Sequence, residues 1–509
     1  MRFRALMRKL ATVALLLASA CAVEDSYSET SDSLVQGSGR YLVVFKNEYL
    51  PSDVSQRVNK AGGTIVRSLG EIGVVTAGGN AAFASRIAKD PAVLAVGPER
   101  VLSAPPTIDI DFAEDEAPVD DGAIVDGAPT SVDDLYLRGY QWDMKRIGAP
   151  AAWTRPLPRT PIVAVLDTGV MDDHPDLAGQ VIRSVSTSYC STSGGKNNTA
   201  GYPKYSTLID FVAYPQWDPT MGCTPSTTGY EFHGTHVAGT VAAKFGGGRV
   251  VGVSPDAKLV AYKVFDRYRY KDENGQIVVA AGAFNASTSA AIIDAANQHY
   301  DVVTMSLGSH IFRNDRNDNA SWLTWNRVIN YANRAGTVVV SSAGNSALDL
   351  NGVIVHVPGD LPNVINVSAT GWSQLAGAGT VADPFRFADG SHDQLAFYSN
   401  YGAAVDITAP GGDCGPLAGP NCEGPGPALA QYFILSTALN AVTGLPNYIF
   451  SIGTSMATPH VTAVAARVRA LHPEWTTGDV RSFLKETAQD LLDRQAFGAG
   501  MVDADAATR

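Results

Sequence analysis

The chain has 509 residues, of which 45% are hydrophobic and 17% are charged, the composition of a globular protein with a substantial core. From the usual size of domains, this length predicts about two to four of them. The net charge of −12 argues against a nucleic acid as partner, because phosphate backbones attract basic surfaces.

Residues 1–20 predict a secretory signal peptide. Basic residues come first, an apolar run through Leu15–Leu17 follows, and small residues end the segment. The run is too short to span a membrane as a helix. We therefore expect an extracytoplasmic protein. It is either secreted or, if Cys21 is lipidated as in bacterial lipoproteins, anchored to a membrane by that lipid.

Residues 21–39 are polar and rich in serine, a composition that predicts a flexible tether. Residues 40–103 predict a small ferredoxin-like α+β domain, in the order strand, helix, strand, strand, helix, strand. An unrelated binding module of the same size stays open as an alternative. The predicted strands are 41–45, 64–69, 72–77 and 93–97, and the predicted helices are 53–61 and 81–89.

Residues 104–134 form an acidic linker rich in proline and glycine, which cannot bury apolar surface and should be open to proteolysis. Beyond it, in residues 135–509, apolar strands alternate with helices. This alternation predicts an α/β fold with a parallel sheet and helices on both of its faces. The clearest strands are 258–264, 301–305, 337–341 and 364–369, and the clearest helices are 283–298, 322–334 and 454–471.

Three motifs carry candidate catalytic side chains. Pro161–Gly169 is an apolar run that predicts a buried strand delivering Asp167 at its end. His233 opens a helix of small residues, and Ser455 stands where a glycine-led turn meets a helical run. A serine at a helix start lies near free backbone N–H groups, and a weak hydroxyl nucleophile needs a base that is oriented by an acid. Taken alone, a serine in this position is more often only a helix cap.

In this order, the three motifs resemble those of the subtilisin-like serine proteases, or subtilases, from about Gln141 to the C-terminus. The resemblance implies that Asp167 orients the base, that His233 is the general base and that Ser455 is the nucleophile. It also implies an endopeptidase that cuts protein or peptide substrates through an acyl-enzyme. Residues 40–103 would then be an inhibitor propeptide of a self-processed zymogen, cut in the linker or at its start.

The same resemblance assigns residues around the triad. Asn345 would donate its amide to the oxyanion together with the N–H of Ser455. Ser306, Leu307 and Gly308 would pair with the substrate backbone beside the primary pocket. His356 would lie near the floor of that pocket and favour a polar, acidic or aromatic residue just before the cut.

We expect no cofactor and no metal at the active site. His233 and His236 lack the further ligands that zinc requires, so His236 should be a packed structural residue. Many subtilases bind calcium through an aspartate that Asp176 matches, but here the adjoining loop carries Lys244 and Arg249 and lacks the usual asparagine. This site should be empty or weak, with either cation replacing the ion at Asp176. Calcium in the segments 266–274 or 314–319 stays open.

Four cysteines follow the export region, and four allow three pairings. We expect the local pairs Cys190–Cys223 and Cys414–Cys422.

Two functional alternatives on the same scaffold stay open, a dedicated processing protease with one cognate substrate and a transpeptidase or macrocyclase. A peptide binder without activity is disfavoured, since every catalytic position is filled.

Overall fold

The computed structural model describes residues 39–103, 108–111, 132–189, 207–210, 223–225, 232–271, 277–371, 393–415, 422, 432–440 and 443–509. The predicted signal peptide, most of the tether, most of the acidic linker and Cys190 lie outside the described residues.

The strands, numbered along the chain, are β1 (Arg40–Phe45), β2 (Thr64–Leu69), β3 (Val74–Gly78), β4 (Val93–Pro98), β5 (Val101–Leu102), β6 (Ile108–Asp111), β7 (Ile162–Asp167), β8 (Val181–Ser186), β9 (Thr207–Asp210), β10 (Cys223–Pro225), β11 (Lys258–Lys263), β12 (Phe265–Lys271), β13 (Ile277–Phe284), β14 (Val302–Met305), β15 (Ser309–Phe312), β16 (Val338–Ser342), β17 (Ile354–Val357), β18 (Ile365–Gly371), β19 (Gln394–Leu395), β20 (Ile407–Pro410), β21 (Ile434–Leu439) and β22 (Pro446–Ile452). The α-helices are α1 (Val54–Lys60), α2 (Ala81–Ile87), α3 (Asp134–Leu137), α4 (Trp142–Arg146), α5 (Ala149–Trp153), α6 (His233–Ala242), α7 (Asn285–Asn297), α8 (Asn319–Arg334), α9 (Thr454–Leu471), α10 (Thr477–Glu486) and α11 (Arg494–Phe497).

Residues 40–103, called here the N-terminal unit, contain a four-stranded antiparallel sheet in the order β2-β3-β1-β4. Val43 and Phe45 of β1 pack with Phe83 and Ile87 of α2. The intervening residues of β1 face the opposite side, as the period of two in a strand requires. The predicted ferredoxin-like order of strands and helices is confirmed.

The large sheet has the order β19-β18-β16-β14-β7-β11-β8, and β20 also pairs with β18. All its pairings are parallel except that of β19 with β18. Val163 and Val165 of β7 pack into the core that contains α6 and α9, whereas Ala164 and Leu166 pack into the core that contains α7 and α8. The predicted α/β architecture with helices on both faces is therefore confirmed.

The N-terminal unit packs against the outer helices of the large sheet. Leu42 and Val44 of β1 share a core with Val328 and Ile329 of α8. On the same helix, the Arg327 guanidinium donates to backbone carbonyls of the N-terminal unit, at 2.8 Å to Phe45 and 2.9 Å to Ile72. Apolar burial and backbone hydrogen bonds thus hold the two parts together.

The sequence analysis missed the hairpin of β12 and β13, which pair along their length. It treated residues 266–274 only as an open candidate for calcium, and it began the following helix two residues too early, at residue 283 instead of Asn285. The alternation of Arg267–Tyr270 and the Asn274–Gly275 pair are ordinary hairpin signals. In the second open segment, the Asp318 carboxylate accepts from Arg100 at 2.9 Å.

Cys414 and Cys422 are eight residues apart in sequence and lie at disulfide distance, with their Cα atoms 4.9 Å apart. The other expected pair, Cys190–Cys223, involves a residue outside the described ranges and stays a prediction.

Within the described ranges, no helix combines the length and the apolar character needed to cross a bilayer.

Candidate active site

An aspartate and a histidine meet where β7 ends and α6 begins. Nδ1 of His233 lies 2.9 Å from Oδ1 and 3.0 Å from Oδ2 of Asp167. The backbone N–H of Thr168 donates to the same carboxylate at 2.7 Å. Asp167 and His233 are both buried. The pair can therefore hold the imidazole in one orientation, with the proton on Nδ1 directed at the carboxylate.

Electrostatics at this pair favour a basic imidazole. Burial acts to lower the pKa of His233, but the charge and hydrogen bond of Asp167, together with the charge of Asp109, raise the pKa above its usual value. In the part of the chain that the structure describes, Nε2 of His233 has no hydrogen-bond partner. This nitrogen is available to exchange a proton with a reacting group.

Ser455 is the second residue of α9, which contains Pro459 in its interior. Because proline has no N–H, the Ser455 carbonyl lacks its usual helical donor, and the hydroxyl of Ser306 donates to it at 2.9 Å instead. The Ser455 hydroxyl in turn donates to the Ser306 carbonyl at 3.4 Å and not to His233. These two contacts fix the start of α9 against the residue that follows β14.

Asn345 reaches the same helix start. Its side-chain oxygen accepts from the backbone N–H of Thr454 at 2.9 Å and from the Thr454 hydroxyl at 2.6 Å. The amide is therefore oriented beside Ser455, with its oxygen on the Thr454 side. The sequence analysis did not single out Thr454, whose two hydrogen bonds hold Asn345 in this orientation.

The last residue of the predicted substrate-pairing segment Ser306–Gly308 is paired with the chain itself. Ser103 and Gly308 exchange backbone hydrogen bonds of 3.0 Å in each direction. The preceding residues, Val101 and Leu102, pair antiparallel with the end of β13. An extended chain can therefore be added as a strand between β13 and Gly308.

Farther along the chain, β6 pairs antiparallel with β22, the strand that leads into α9. The Ser451 hydroxyl donates to the Asp109 carboxylate at 2.6 Å. Ser103 therefore contacts the segment that begins at Ser306, and β6 contacts the strand that leads to Ser455. Nothing in the local sequence pattern signalled these pairings.

A buried carboxylate joins the N-terminal unit to the start of α7. Glu99 is fully buried and accepts from the Tyr189 hydroxyl at 2.9 Å and from the Ala286 N–H at 3.0 Å. The Arg40 guanidinium lies 4.0 Å from the centre of the Tyr189 ring. Burial raises the pKa of Glu99 despite the nearby cation. The helix N-terminus of α7 provides favourable partial charge for this carboxylate.

His356 lies in β17 and is 3% exposed, with both ring nitrogens lacking a hydrogen-bond partner in the described part of the chain. His310 of β15 faces it across the antiparallel pair. The sequence analysis singled out His356 and missed His310.

The remaining buried histidines have structural partners. Nε2 of His236 lies 3.1 Å from the carbonyl oxygens of both Ile434 and Ile449, and burial lowers its pKa to about 3. The prediction of a packed structural residue is confirmed. His460 of α9 lies 2.8 Å from the Asp143 carboxylate, forming a second buried Asp–His pair.

The surroundings of Asp176 do not fit a calcium ion. The Tyr448 hydroxyl donates to its carboxylate at 2.6 Å and the backbone N–H of Val250 donates at 3.3 Å, so the loop presents donors where a cation needs oxygens. Burial raises the pKa of Asp176 to about 6. Elsewhere in the described ranges, no group of three or more His, Cys, Asp or Glu side chains is arranged to hold a metal ion.

The expectation that a cation replaces calcium at Asp176 is wrong. Arg249 donates to Asp134 at 2.7 Å, and Lys244 donates to the Ala178 carbonyl at 2.8 Å. Tyr448 donates to Asp176 instead of either cation, because its hydroxyl reaches the buried carboxylate from β22. Removing a neutral hydroxyl from water also costs less free energy than removing an ammonium or guanidinium group.

Any change in the melting temperature of the Ser455→Ala protein between millimolar calcium and chelator should therefore be the same with and without Asp176→Asn. Tyr448→Phe removes a donor from a buried carboxylate and should lower the free energy of unfolding by about 1–3 kcal/mol with or without calcium. Differential scanning calorimetry measures both effects. A large calcium-dependent rise in melting temperature that Asp176→Asn abolishes would show that the ion binds here after all.

Comparison with known proteins gives consistent matches. The model of the family described as "Subtilase family" matches residues 159–500. M-protease of Shouchella clausii is 31% identical over 379 residues, which cover 72% of this chain and 70% of that protein. Subtilisin Savinase of Lederbergia lenta is also 31% identical over 379 residues, covering 72% of this chain and 98% of the relative.

Solved structures match over more of the chain. Fervidolysin from Fervidobacterium pennivorans is described as a keratinolytic enzyme related to subtilisin. Its match has a TM-score of 0.64 at 25% identity and covers 92% of this chain and 60% of the fervidolysin chain. The epidermin leader peptide processing serine protease of Staphylococcus aureus has a TM-score of 0.65 at 23% identity and covers 92% of this chain and 97% of its own. The latter similarity shows the fold alone.

Proposed function

Because this chain belongs to the subtilase family and is a serine endopeptidase, we propose that Asp167, His233 and Ser455 are its catalytic residues. The observation that carries the proposal is the buried Asp167–His233 pair, whose Nε2 has no partner in the described ranges. The start of α9 supplies a hydroxyl nucleophile beside oriented N–H donors.

In the proposed reaction, Nε2 of His233 takes the proton of Ser455 as Oγ attacks the peptide carbonyl. Throughout the reaction, the Asp167 carboxylate accepts a hydrogen bond from the Nδ1–H group of His233 and stabilises the imidazolium. The oxyanion receives hydrogen bonds from the Ser455 N–H and from the Asn345 amide. His233 then gives its proton to the leaving amine, and water hydrolyses the acyl-enzyme by the same route. The Ser455 hydroxyl must turn from Ser306 to His233, which substrate binding favours, since catalytic hydrogen bonds often tighten only in the complex.

Substrate would bind as an extended strand along Ser306, Leu307 and Gly308. The backbone hydrogen bonds between Ser103 and Gly308 support this mode, because they use main-chain groups that every peptide carries. Such pairing explains tolerance of many sequences, and side-chain preference is then left to the pocket at His356.

We further propose that the N-terminal unit is an inhibitor propeptide of a zymogen. Support comes from the pairing of β5 and Ser103 within the substrate cleft and from the buried contacts of Glu99. Cleavage would fall within residues 104–134 or just at their start. The signal-like residues 1–20 support export, with Cys21 as a possible lipid attachment site, and an oxidising environment would permit the Cys414–Cys422 disulfide.

A fluorophosphonate probe tests the function directly. Mature wild-type protein should be labelled at Ser455, identified by mass spectrometry of the tryptic peptide, and should hydrolyse a denatured protein substrate into peptides with free carboxyl ends. Ser455→Ala serves as the unlabelled control. Labelling with products joined to an added amine would indicate a transpeptidase, and cleavage of a single cognate protein among many would indicate a dedicated processing protease. Absence of labelling in correctly folded mature protein would contradict the proposal.

A further inference from the structure

Two neighbouring histidines lie close to Gly308, the residue that pairs with Ser103. His310 and His356 are opposite each other in the β15–β17 ladder, with ring centres 5.1 Å apart. Within the described ranges, both nitrogens of His356 and Nε2 of His310 have no hydrogen-bond partner. A buried donor or acceptor left unpaired is costly, so such groups in a native protein usually have a use.

The imidazole of His356 lies between two segments of the proposed active site. A Cβ atom at Gly308 would overlap Nε2 of His356, and one at Gly344 would lie 2.8 Å from Cε1 of the same ring. Gly308 pairs with the backbone of Ser103, and Gly344 immediately precedes Asn345. The absence of side chains at both glycines is what allows the ring to occupy this position.

The pairing of Ser103 with Gly308 indicates which residue of a bound substrate the His356 ring faces. Ser103 lies opposite Gly308, so in an antiparallel pairing the residue two positions further along a bound chain lies opposite Ser306. The carbonyl of Ser306 contacts the Ser455 hydroxyl. A residue of a bound chain at that position would present its carbonyl to Ser455. Its side chain would lie on the face of the strand to which a Cβ at Gly308 would point, the face of the His356 ring.

The chemistry of the ring nitrogens limits which side chain fits. Burial lowers the pKa of both histidines, and for His356 the neighbouring His310 acts in the same direction. A neutral imidazole has one donor nitrogen and one acceptor nitrogen. A carboxamide offers both complementary groups, a carboxylate only accepts, and an alkyl chain leaves both nitrogens unpaired.

We propose that His356, with His310 beside it, selects substrates that carry a glutamine or asparagine side chain immediately before the bond to be cut. This inference rests on the proposed function, because it assigns the specificity of the same site. It narrows the pocket preference from polar, acidic or aromatic side chains to one class, the carboxamides.

The test uses mature enzyme and internally quenched peptides that differ only at the residue before the scissile bond, namely Gln, Asn, Glu, Met, Leu or Ala. At pH 8, we expect kcat/KM for Gln or Asn to exceed that for Met, which has a similar length to Gln, by about tenfold or more. His356→Phe keeps an aromatic ring and removes the nitrogens. This variant should reduce the ratio of kcat/KM for the Gln peptide to that for the Met peptide to about one.

The outcomes separate this inference from the proposed function. Fluorophosphonate labelling with equal cleavage of all peptides, or with a preference for Met, Leu, Ala or Glu, would overturn the carboxamide proposal alone. Loss of both labelling and cleavage in folded wild type would overturn the proposed function itself. If His356→Phe does not fold, the wild-type series decides, and His310→Phe should lower the Gln-to-Met ratio to a smaller extent.

Discussion

Replacing Ser455 by alanine should leave the precursor uncut and lower peptidase activity by about 10⁶-fold, the size measured for the same change in subtilisin, a member of this family. The reason is that neither acyl-enzyme formation nor self-processing can proceed without the hydroxyl. The N-terminal unit should then remain attached to the rest of the chain. Intact-mass measurement and N-terminal sequencing of the product from a protease-deficient host report its presence.

Stability provides the control for Ser455→Ala. The Ser455 hydroxyl makes only a long contact of 3.4 Å to Ser306, so the melting temperature of the variant should match that of an uncut precursor. Co-expression with wild type should restore cutting if processing occurs between molecules and should not if it occurs within one. A variant that is shortened like wild type in the absence of other proteases would show that another agent performs the processing.

Replacing Asp167 by asparagine should lower kcat by about 10⁴-fold while leaving the fold intact. The Thr168 N–H donates to the carboxylate at 2.7 Å, so an asparagine would turn its oxygen toward Thr168 and its amide nitrogen toward His233. Nδ1 would then meet an amide N–H group at the former position of Oδ2, which favours the tautomer with the imidazole proton on Nε2. An imidazole protonated at Nε2 cannot take the proton of Ser455.

The pH profile gives a second readout. Asp167 raises the pKa of His233, and catalysis needs the neutral imidazole, so activity rises as the pH increases through that pKa. Without the carboxylate, the acid limb of the residual kcat/KM should shift to lower pH. Asp143→Asn is the matched control, since Asp143 forms a separate buried pair with His460. Asp143→Asn should affect stability and leave the acid limb in place, and equal losses of kcat in both variants would contradict the assignment.

Local sequence patterns were sufficient to locate Asp167 and His233. An apolar run predicts the strand that ends at Asp167, and a run of small residues predicts the helix that begins at His233. The parallel sheet then brings strand ends to one edge, which is why residues 66 positions apart in sequence lie 2.9 Å apart. Asn345 was assigned from the family resemblance, and the structure places its side chain at the start of α9.

Contacts between distant segments were not predictable in this way. Tyr448 donates to Asp176 across 272 positions of sequence, and no local periodicity records such a partner. Their positive charge suggested Arg249 or Lys244 as the partner of Asp176, but Arg249 donates to Asp134 and Lys244 donates to the Ala178 carbonyl. His310 was missed for a related reason, because its meaning depends on the strand that pairs with β15.

The attachment of the N-terminal unit at several places affects how activity would begin. Before any cut, one covalent chain contains β1, which packs on α8, Ser103, which pairs with Gly308, and β6, which pairs with β22. Each of these contacts therefore keeps the others at high effective concentration. After a cut between residues 103 and 132, the N-terminal unit is held by its own affinity only. Cutting would then be separate from activation, and dilution or digestion of the freed unit would set the time at which the cleft opens.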